Sequence, residues 1–474
     1  MSSVDAAMLD IHELRARFEA HDQGHVLRFW DRLGPEAQRG LARQLASLDL
    51  PGLLRGFRAT QRPPAGPPKL EAPVVEALPE HGGDPARRAA ARQRGEALLR
   101  DGRVALMVVA GGQGSRLGFS GPKGLFPLGP VTGRSLFEQQ AQKIRHLRSW
   151  IGAAIPWYVM TSDATDADTR RAFSEANHFG LPAKDVYFLC QGMVPSFDFE
   201  EKLILERPDR IFENPDGHGG SLTALHSSGA LDDMERRGIT TIFYYQVDNP
   251  LVPLGDPVLL GFHVEAAAEV SCKSLRKRDP REKVGVLARI DGRIGVVEYT
   301  EIQPEQRDAR DARGELVYGA GNVAVHTFDV AFVRRIAQQA DRWLPLHASR
   351  KKIPAVDASG ATVEPDEPNG FKLERFVFDA MRATDAVCIV EASRDEYSPV
   401  KNASGSDSPA TSRRDLSLCY RRWIADAGLP APDRDLWIEI DESRIGGPGD
   451  LRALGIAEIE DAPEQIHTRL GDDA

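Results

Sequence analysis

The segment Val108-Val109-Ala110-Gly111-Gly112-Gln113-Gly114-Ser115-Arg116-Leu117-Gly118, with Pro122-Lys123-Gly124 just beyond, joins an open backbone to two cations. Four glycines in eight positions leave N–H groups uncovered by side chains, so this loop can wrap a polyphosphate while Arg116 and Lys123 supply countercharge. Arginine grips phosphate oxygens in a fork and lysine acts as a mobile point charge. No Gly-Lys-Ser/Thr closes the loop, and Gly112-x-Gly114 is followed by Gly118 rather than by a glycine at 117. Neither a P-loop nor a dinucleotide fingerprint fits. Taken alone, the loop can also be a plain connector after a buried strand.

Asp248 follows the apolar run Ile242 to Val247 and precedes Asn249-Pro250, which puts its carboxylate at the carboxyl edge of a sheet, where ligands of open α/β sheets bind. There it can hold Mg²⁺, which takes one or two carboxylates plus phosphate oxygens and water, or it can simply cap the turn. Pro215-Asp216-Gly217-His218-Gly219-Gly220 is a second glycine-rich turn, able to receive a planar base or to serve as an ordinary loop. Gln191, just past a strand ending at Leu189, offers an amide donor and acceptor to a base edge, with a structural role as the alternative. Asn322, Glu298 and Glu301 are candidates for sugar hydroxyls. Lys351, Lys352, Lys372 and Lys401 are isolated basic positions that can equally solvate a surface. No Ser/His/Asp set or His-x-x-x-His spacing stands out, which disfavours hydrolases built on a protein nucleophile or zinc.

These residues need a scaffold, and from about residue 100 the pattern is strand, loop, helix. Val104 to Ala110, Trp157 to Thr161, Val186 to Leu189 and Thr241 to Val247 suit buried strands, and Phe137, Ala141, Ile144 and Leu147 recur at helical spacing. The alternation predicts an α/β fold with a doubly wound, mostly parallel, Rossmann-like central sheet. Asp291-Gly292 between Val286–290 and Ile294–299 predicts a type I′ hairpin. Leu14 and Phe18, then Leu41, Leu45 and Leu48, predict a helical N-terminal region, with a helix starting at Gly34-Pro35. The prolines of Arg62 to Pro68 predict an extended linker or strap. Trp437 to Asp441 alternates like an exposed strand of a small C-terminal domain. The expected layout is therefore 1–80 helices and linker, 81–385 the ligand-binding domain, and 386–474 the C-terminal domain.

A chain of 474 residues exceeds what one core usually supports, and 41% apolar with 27% charged residues is ordinary for a soluble protein. A net charge of −10 disfavours nucleic acid or an anionic membrane as the main partner. Cys190, Cys272, Cys388 and Cys419 are widely spaced, so buried thiols in a reducing compartment are expected rather than a zinc site or disulfides. The start Met1 to Asp5 lacks a basic segment before an apolar run, and a cytoplasmic protein is expected.

In this order the segments resemble the UDP-sugar pyrophosphorylases, most closely the eukaryotic-type UDP-N-acetylglucosamine/N-acetylgalactosamine enzymes. The likeness rests on the glycine loop with Pro122-Lys123-Gly124, Gln191-Gly192-Met193, Pro215-Asp216-Gly217, Val247-Asp248-Asn249, Val297-Glu298-Tyr299, Ala320-Gly321-Asn322, Lys351-Lys352-Ile353-Pro354, Pro365-Asp366 through Asn369-Gly370, and Ser398-Pro399-Val400-Lys401-Asn402. The resemblance implies a nucleotidyltransferase of GT-A-like fold that makes a UDP-sugar and pyrophosphate from UTP and a sugar 1-phosphate, with N-acetylglucosamine 1-phosphate the expected sugar substrate. It implies that Ala110, Gly111, Gly112, Gln191, Gly217 and Lys352 hold UTP, and that Arg116, Lys123 and Lys401 act on the phosphates. Asp248 would bind both UTP and Mg²⁺, while His218, Glu298, Asn322 and Lys372 would face the sugar. His218 departs from the pattern, since the N-acetylhexosamine enzymes carry Asn there, and glucose 1-phosphate or a broad sugar range is the alternative. A catalytically silent UDP-sugar sensor is the non-enzyme alternative. The chain is expected to be a monomer or weak homo-oligomer with no nucleic-acid or membrane partner.

Overall fold

Four of the expected buried runs lie side by side. In the computed structural model, which describes residues 10–62, 66, 68–430, 432–433, 435–455, 458 and 462–470, Thr241–Gln246, Val104–Val109, Trp157–Thr161 and Val186–Cys190 form successive parallel neighbours. Gln246 pairs with Val109, Val109 with Met160, and Met160 with Leu189. Because these strands end in register, the segments that follow them, at Ala110, Ser162, Gln191 and Val247, emerge along one carboxyl edge.

The rest of the sheet departs from the expected mostly parallel pattern. Ala320–Asp329 runs antiparallel to Thr241–Gln246, to Val270–Arg276 and to Val286–Ile290. Among the described residues the sheet has four parallel and five antiparallel neighbour pairs, so it is mixed. Between Val270 and Asp329 the only helix described is the short turn Pro304–Arg307, and without helical crossovers strands return antiparallel. The hairpin Val286–Ile290/Arg293–Val297 has the expected turn, with φ of 49° at Asp291 and 85° at Gly292.

By compactness the chain forms two units, Met1–Pro67 with Gly192–Thr223 and Gln339–Asp379, and Pro68–Gln191 with Ala224–Gln338 and Ala380–Ala474. This differs from the expected three consecutive regions. In the smaller unit the helices Ile11–Glu19, Pro35–Ser47 and Leu50–Gln61 bury Phe18, Leu41, Leu45 and Phe57 in one core with Phe197, Ile211 and Leu373, so they do not stand alone. Phe57 stacks on Phe197 at 4.5 Å. Of the expected proline-rich linker, Pro63, Pro64, Ala65 and Pro67 lie outside the described residues, as does Met1 to Asp5.

In the larger unit, Phe137, Ala141, Ile144 and Leu147 of helix Leu136–Ile151 pack in the core with the sheet. Helices Pro85–Arg100 and Pro257–Glu265 touch backbone to backbone: a Cβ on Gly95 would sit 1.9 Å from Pro257 O. The C-terminal segment belongs to this same core, because helix Pro409–Asp426 contributes Leu416, Tyr420 and Ile424 to it. The strand Leu436–Ile440, expected to be exposed, is largely buried. Its Glu439 accepts hydrogen bonds from Val131 N (2.9 Å), Thr132 N (2.8 Å) and Thr132 Oγ1 (2.5 Å), with Arg134 at 3.3 Å. Alternation alone cannot separate a solvent-facing charge from a buried one that has found donors. Glu439→Ala should cost about 2 kcal/mol, because it removes the acceptor of three part-buried donors and leaves Arg134 only the longer ion pair with Asp441 at 4.0 Å. An unchanged denaturant midpoint would contradict that assignment. All four cysteines are free thiols, and no described helix is long and apolar enough to cross a membrane.

Candidate active site

The glycine loop is closed on itself by backbone bonds: Lys123 N donates to Gly112 O (2.9 Å), Gly114 N to Gly121 O (2.8 Å) and Phe119 N to Gly114 O (3.1 Å). At its start Ala110 is buried, and Ser162 Oγ donates to Gly111 O at 2.7 Å. A Cβ on Gly111 would lie 2.5 Å from Gln191 Oε1, whereas one on Gly112 would meet nothing within 4 Å. Ala110, Gly111, Gly112 and Gln191 therefore come together as expected, with an amide beside an uncovered backbone. Arg116, in the turn Ser115–Leu117, is exposed and pairs with nothing among the described residues.

Lys123 Nζ lies 3.1 Å from Asp248 Oδ2, with the two side chains 16% and 15% exposed. Asp248 stands two residues past the central strand Thr241–Gln246, and its carbonyl accepts Val400 N at 2.9 Å. Asn249 continues the attachment: its Oδ1 accepts Ser398 N (3.2 Å) and its Nδ2 donates to Glu396 O (2.8 Å). These bonds bring Lys401 to the same place, where its ammonium donates to Tyr397 Oη at 3.1 Å. Burial opposes the charge on Lys401, but Tyr397, Asp248 and Asp407 outweigh it and raise its pKa above the ordinary lysine value. Lys401 stays a cation.

Asp248 and Lys401 line a cavity of about 260 Å³ together with Glu298, Asn322, Lys283 and Tyr397. Asn322 is held by its N–H on Gly285 O (2.8 Å) and by Ala324 N on its Oδ1 (3.2 Å). Glu298 directs Oε1 toward Gly285, where a Cβ would come within 3.6 Å. Glu301 is not part of the lining. Thus one carboxylate flanked by two lysines shares a pocket with an acid and an amide suited to hydroxyls. Among the described residues no group of three His, Cys, Asp or Glu could form a metal cage.

Gly217, His218, Lys352 and Lys372 belong to the smaller unit. Gly217 has φ of 84°, and a Cβ there would lie 2.6 Å from Arg375 O, so only glycine fits this turn. His218 Nδ1 accepts Val377 N at 3.1 Å, which leaves the neutral ring's proton on Nε2, and the ring stacks on Phe376 at 5.3 Å. Burial, with His347 adding, lowers its pKa from 6.5 to about 4. Lys352 is exposed without a partner among the described residues, and Asn369 fixes the neighbouring Ile353 through two bonds of 2.8 and 2.9 Å. Lys372 sits 4.8 Å from the Phe212 ring centre, and burial, then Lys351, lowers its pKa.

Asp216, beside these residues, is buried with no hydrogen bond to Oδ1 among the described residues, and burial raises its pKa from 3.8 to about 7 against the pull of Arg375. Its contribution to stability is full below pH 3.8 and lost as pH rises through about 7, while that of His218 is full above 6.5 and lost as pH falls through about 4. The two therefore oppose each other. Relative to wild type, Asp216→Asn should gain stability steadily as pH is raised from about 4 to 8. Parallel urea midpoints across that range would contradict a buried neutral carboxyl.

Sequence reasoning missed Tyr397, Lys283, Lys273 and Glu396. The signal for Lys273 was present, as the one lysine inside the strand Val270–Arg276. Tyr397 and Glu396 had none beyond lying next to Ser398-Pro399.

Residues 75–409 match the UTP–glucose-1-phosphate uridylyltransferase family. The chain belongs to that family, a class of nucleotidyltransferases. It is 39% identical over 439 residues, 89% of this chain and 87% of the relative, to UDP-N-acetylhexosamine pyrophosphorylase-like protein 1 of Homo sapiens. It is also 39% identical over 342 residues, 70% of this chain and 72% of the relative, to UDP-N-acetylglucosamine pyrophosphorylase of Saccharomyces cerevisiae. The crystal structure of uridine diphosphate N-acetylglucosamine pyrophosphorylase from Trypanosoma brucei, in complex with an inhibitor, aligns with a TM-score of 0.78 at 30% identity, covering 88% of this chain and 86% of that one.

Proposed function

We propose that this chain is the uridylyltransferase that joins UTP and N-acetylglucosamine 1-phosphate into UDP-N-acetylglucosamine and releases pyrophosphate. The observation that carries the reading is Asp248 beside Lys123 and Lys401, in a cavity that also holds Glu298 and Asn322. Relatives named for this reaction support the sugar.

A phosphate oxygen of the sugar 1-phosphate attacks the α-phosphorus of UTP in line. The bond from that phosphorus to the bridging oxygen breaks, and its electron pair leaves on pyrophosphate. The nucleophile is already anionic, so no general base is needed, and the obstacle is repulsion between two highly charged reactants. Lys123 and Lys401 offset that charge, and Arg116, with no partner to give up, adds a third cation. The Ala110–Gly112 backbone and Gln191 orient the uracil, and Gly217 and Lys352 are the further uridine and phosphate contacts that the family resemblance implies. Glu298 and Asn322 bind sugar hydroxyls, and His218 and Lys372 are the further sugar contacts that the family resemblance implies. Asp248 fits Mg²⁺, since one hard carboxylate oxygen suffices when phosphates and water complete the shell. When bound, the ion would screen the triphosphate charge.

This reading assigns the mixed sheet to the GT-A-like arrangement of nucleotidyltransferases. Four free thiols and the net charge support a cytoplasmic enzyme, monomeric or weakly associated.

The test is pyrophosphate release from UTP and Mg²⁺ with N-acetylglucosamine 1-phosphate or glucose 1-phosphate. His218 favours a second reading, glucose 1-phosphate or a broad range, and preference for glucose would establish it. No release with any sugar phosphate would leave a binding protein. Because His218 is neutral above about pH 5, the ratio of the two substrates should stay flat from pH 6 to 8. His218→Asn should shift that ratio about tenfold toward the N-acetylated substrate, the scale expected for one reshaped pocket contact. An unmoved ratio would remove His218 from sugar selection.

A further inference from the structure

We propose that Glu396, held by the buried Lys273, is a positioning residue for Lys401. The proposal rests on the role given to Lys401 above.

Lys273 lies on the sheet strand Val270–Arg276 with its side chain 3% exposed, and its ammonium pairs with Asp256 Oδ2 at 2.7 Å and with Glu396 Oε2. Asp256 is itself anchored, as the cap of helix Pro257–Glu265, where its Oδ1 accepts Val258 N at 2.9 Å. Taking the charges of Lys273 and Asp256 largely out of water is expensive, and apolar residues of the same volume are often no less stabilising. A use other than stability is therefore called for, and the position of Glu396 supplies one.

Its Oε1 accepts Ser393 N at 3.3 Å, closing the turn Arg394–Glu396, and its carbonyl accepts Asn249 Nδ2 at 2.8 Å. From there Ser398 N bonds Asn249 Oδ1 (3.2 Å) and Val400 N bonds Asp248 O (2.9 Å). Residues 396–400 are thus pinned along the Asp248-Asn249 turn, and at Glu396 the buried charge of Lys273 ties the segment to the sheet. Lys401 comes next, and Tyr397, adjacent to Glu396, receives its ammonium at 3.1 Å. Neither Lys273 nor Glu396 lines the cavity, so their influence on the reaction passes through Tyr397 and Lys401.

The experiment is a double-mutant cycle on kcat with Glu396→Ala, Lys401→Ala and the double variant, each checked for folding by its Tm. Glu396→Ala is expected to lower kcat about tenfold with little change in the KM for UTP, since misplacing a group that acts on the transition state costs turnover rather than binding. The double variant should be no slower than Lys401→Ala alone. If Glu396→Ala does not fold, Glu396→Gln, which keeps the volume and loses the charge, carries the test with a smaller loss of kcat that again vanishes in the Lys401→Ala background. Independent, multiplicative losses, or an unchanged kcat in the folded Glu396 variant, overturn the positioning role while leaving the proposed function intact. A normal kcat for Lys401→Ala itself would remove the role given to Lys401, and the positioning role with it, while leaving the activity standing.

Discussion

Lys123→Ala should lower kcat/KM for pyrophosphate release about a hundredfold, near 3 kcal/mol, the usual loss when one well-placed donor to a charged transition state is removed. The expectation follows from where its ammonium sits. It is 3.1 Å from Asp248, at the end of the loop that would cradle the triphosphate, and both side chains are largely buried, so solvent does not screen them as it does surface lysines. The substitution has a second, opposite consequence. With Lys123 gone, the carboxylate of Asp248 loses the nearer of its two lysines, and the Mg²⁺ concentration needed for half-maximal activity should fall even as turnover collapses. Lys123→Arg should restore only part of the rate, because a planar fork does not replace a point charge. Near-normal turnover in folded Lys123→Ala would end the proposed mechanism.

For Asp248→Asn we expect a loss of at least about a hundredfold in kcat and a rise in the Mg²⁺ requirement. This variant is informative because it separates two uses of one residue. The carbonyl of Asp248 holds Val400 N, and an asparagine keeps that bond, so Lys401 stays in place while the charge disappears. A loss accompanied by displacement of the 396–401 segment would point instead to a structural role. Combined with Lys123→Ala, the loss should be less than the product of the two single losses, since the groups are in contact. Unchanged Mg²⁺ dependence in Asp248→Asn would remove this carboxylate as the ligand.

Much of the scaffold was legible because it is written in short-range rules. Continuous apolar runs marked the strands from Val104 and Trp157, and Asp291-Gly292 marked its turn through the positive φ that both positions adopt. The uncovered backbone at Gly111 and Gly112 likewise depends only on residue type. The mixed sheet was harder to see, because a strand's direction depends on the connection before it and not on its own pattern.

What the sequence alone determined is the set of local devices: the glycine cradle, the acid at the end of the central strand, the glycine-rich turn around Gly217, and their order along the chain. Tertiary structure decided which of them meet. Lys123 and Asp248 lie 125 positions apart, and Glu396 reaches Asn249 across 147, contacts that no local preference specifies. It also decided that Glu439 is buried among donors, that Arg116 stands exposed, and that Lys273 holds Glu396. A side chain's charge is set by its type, but its partner and its distance from water are set by packing between segments remote in sequence, and those fix what the charge can do.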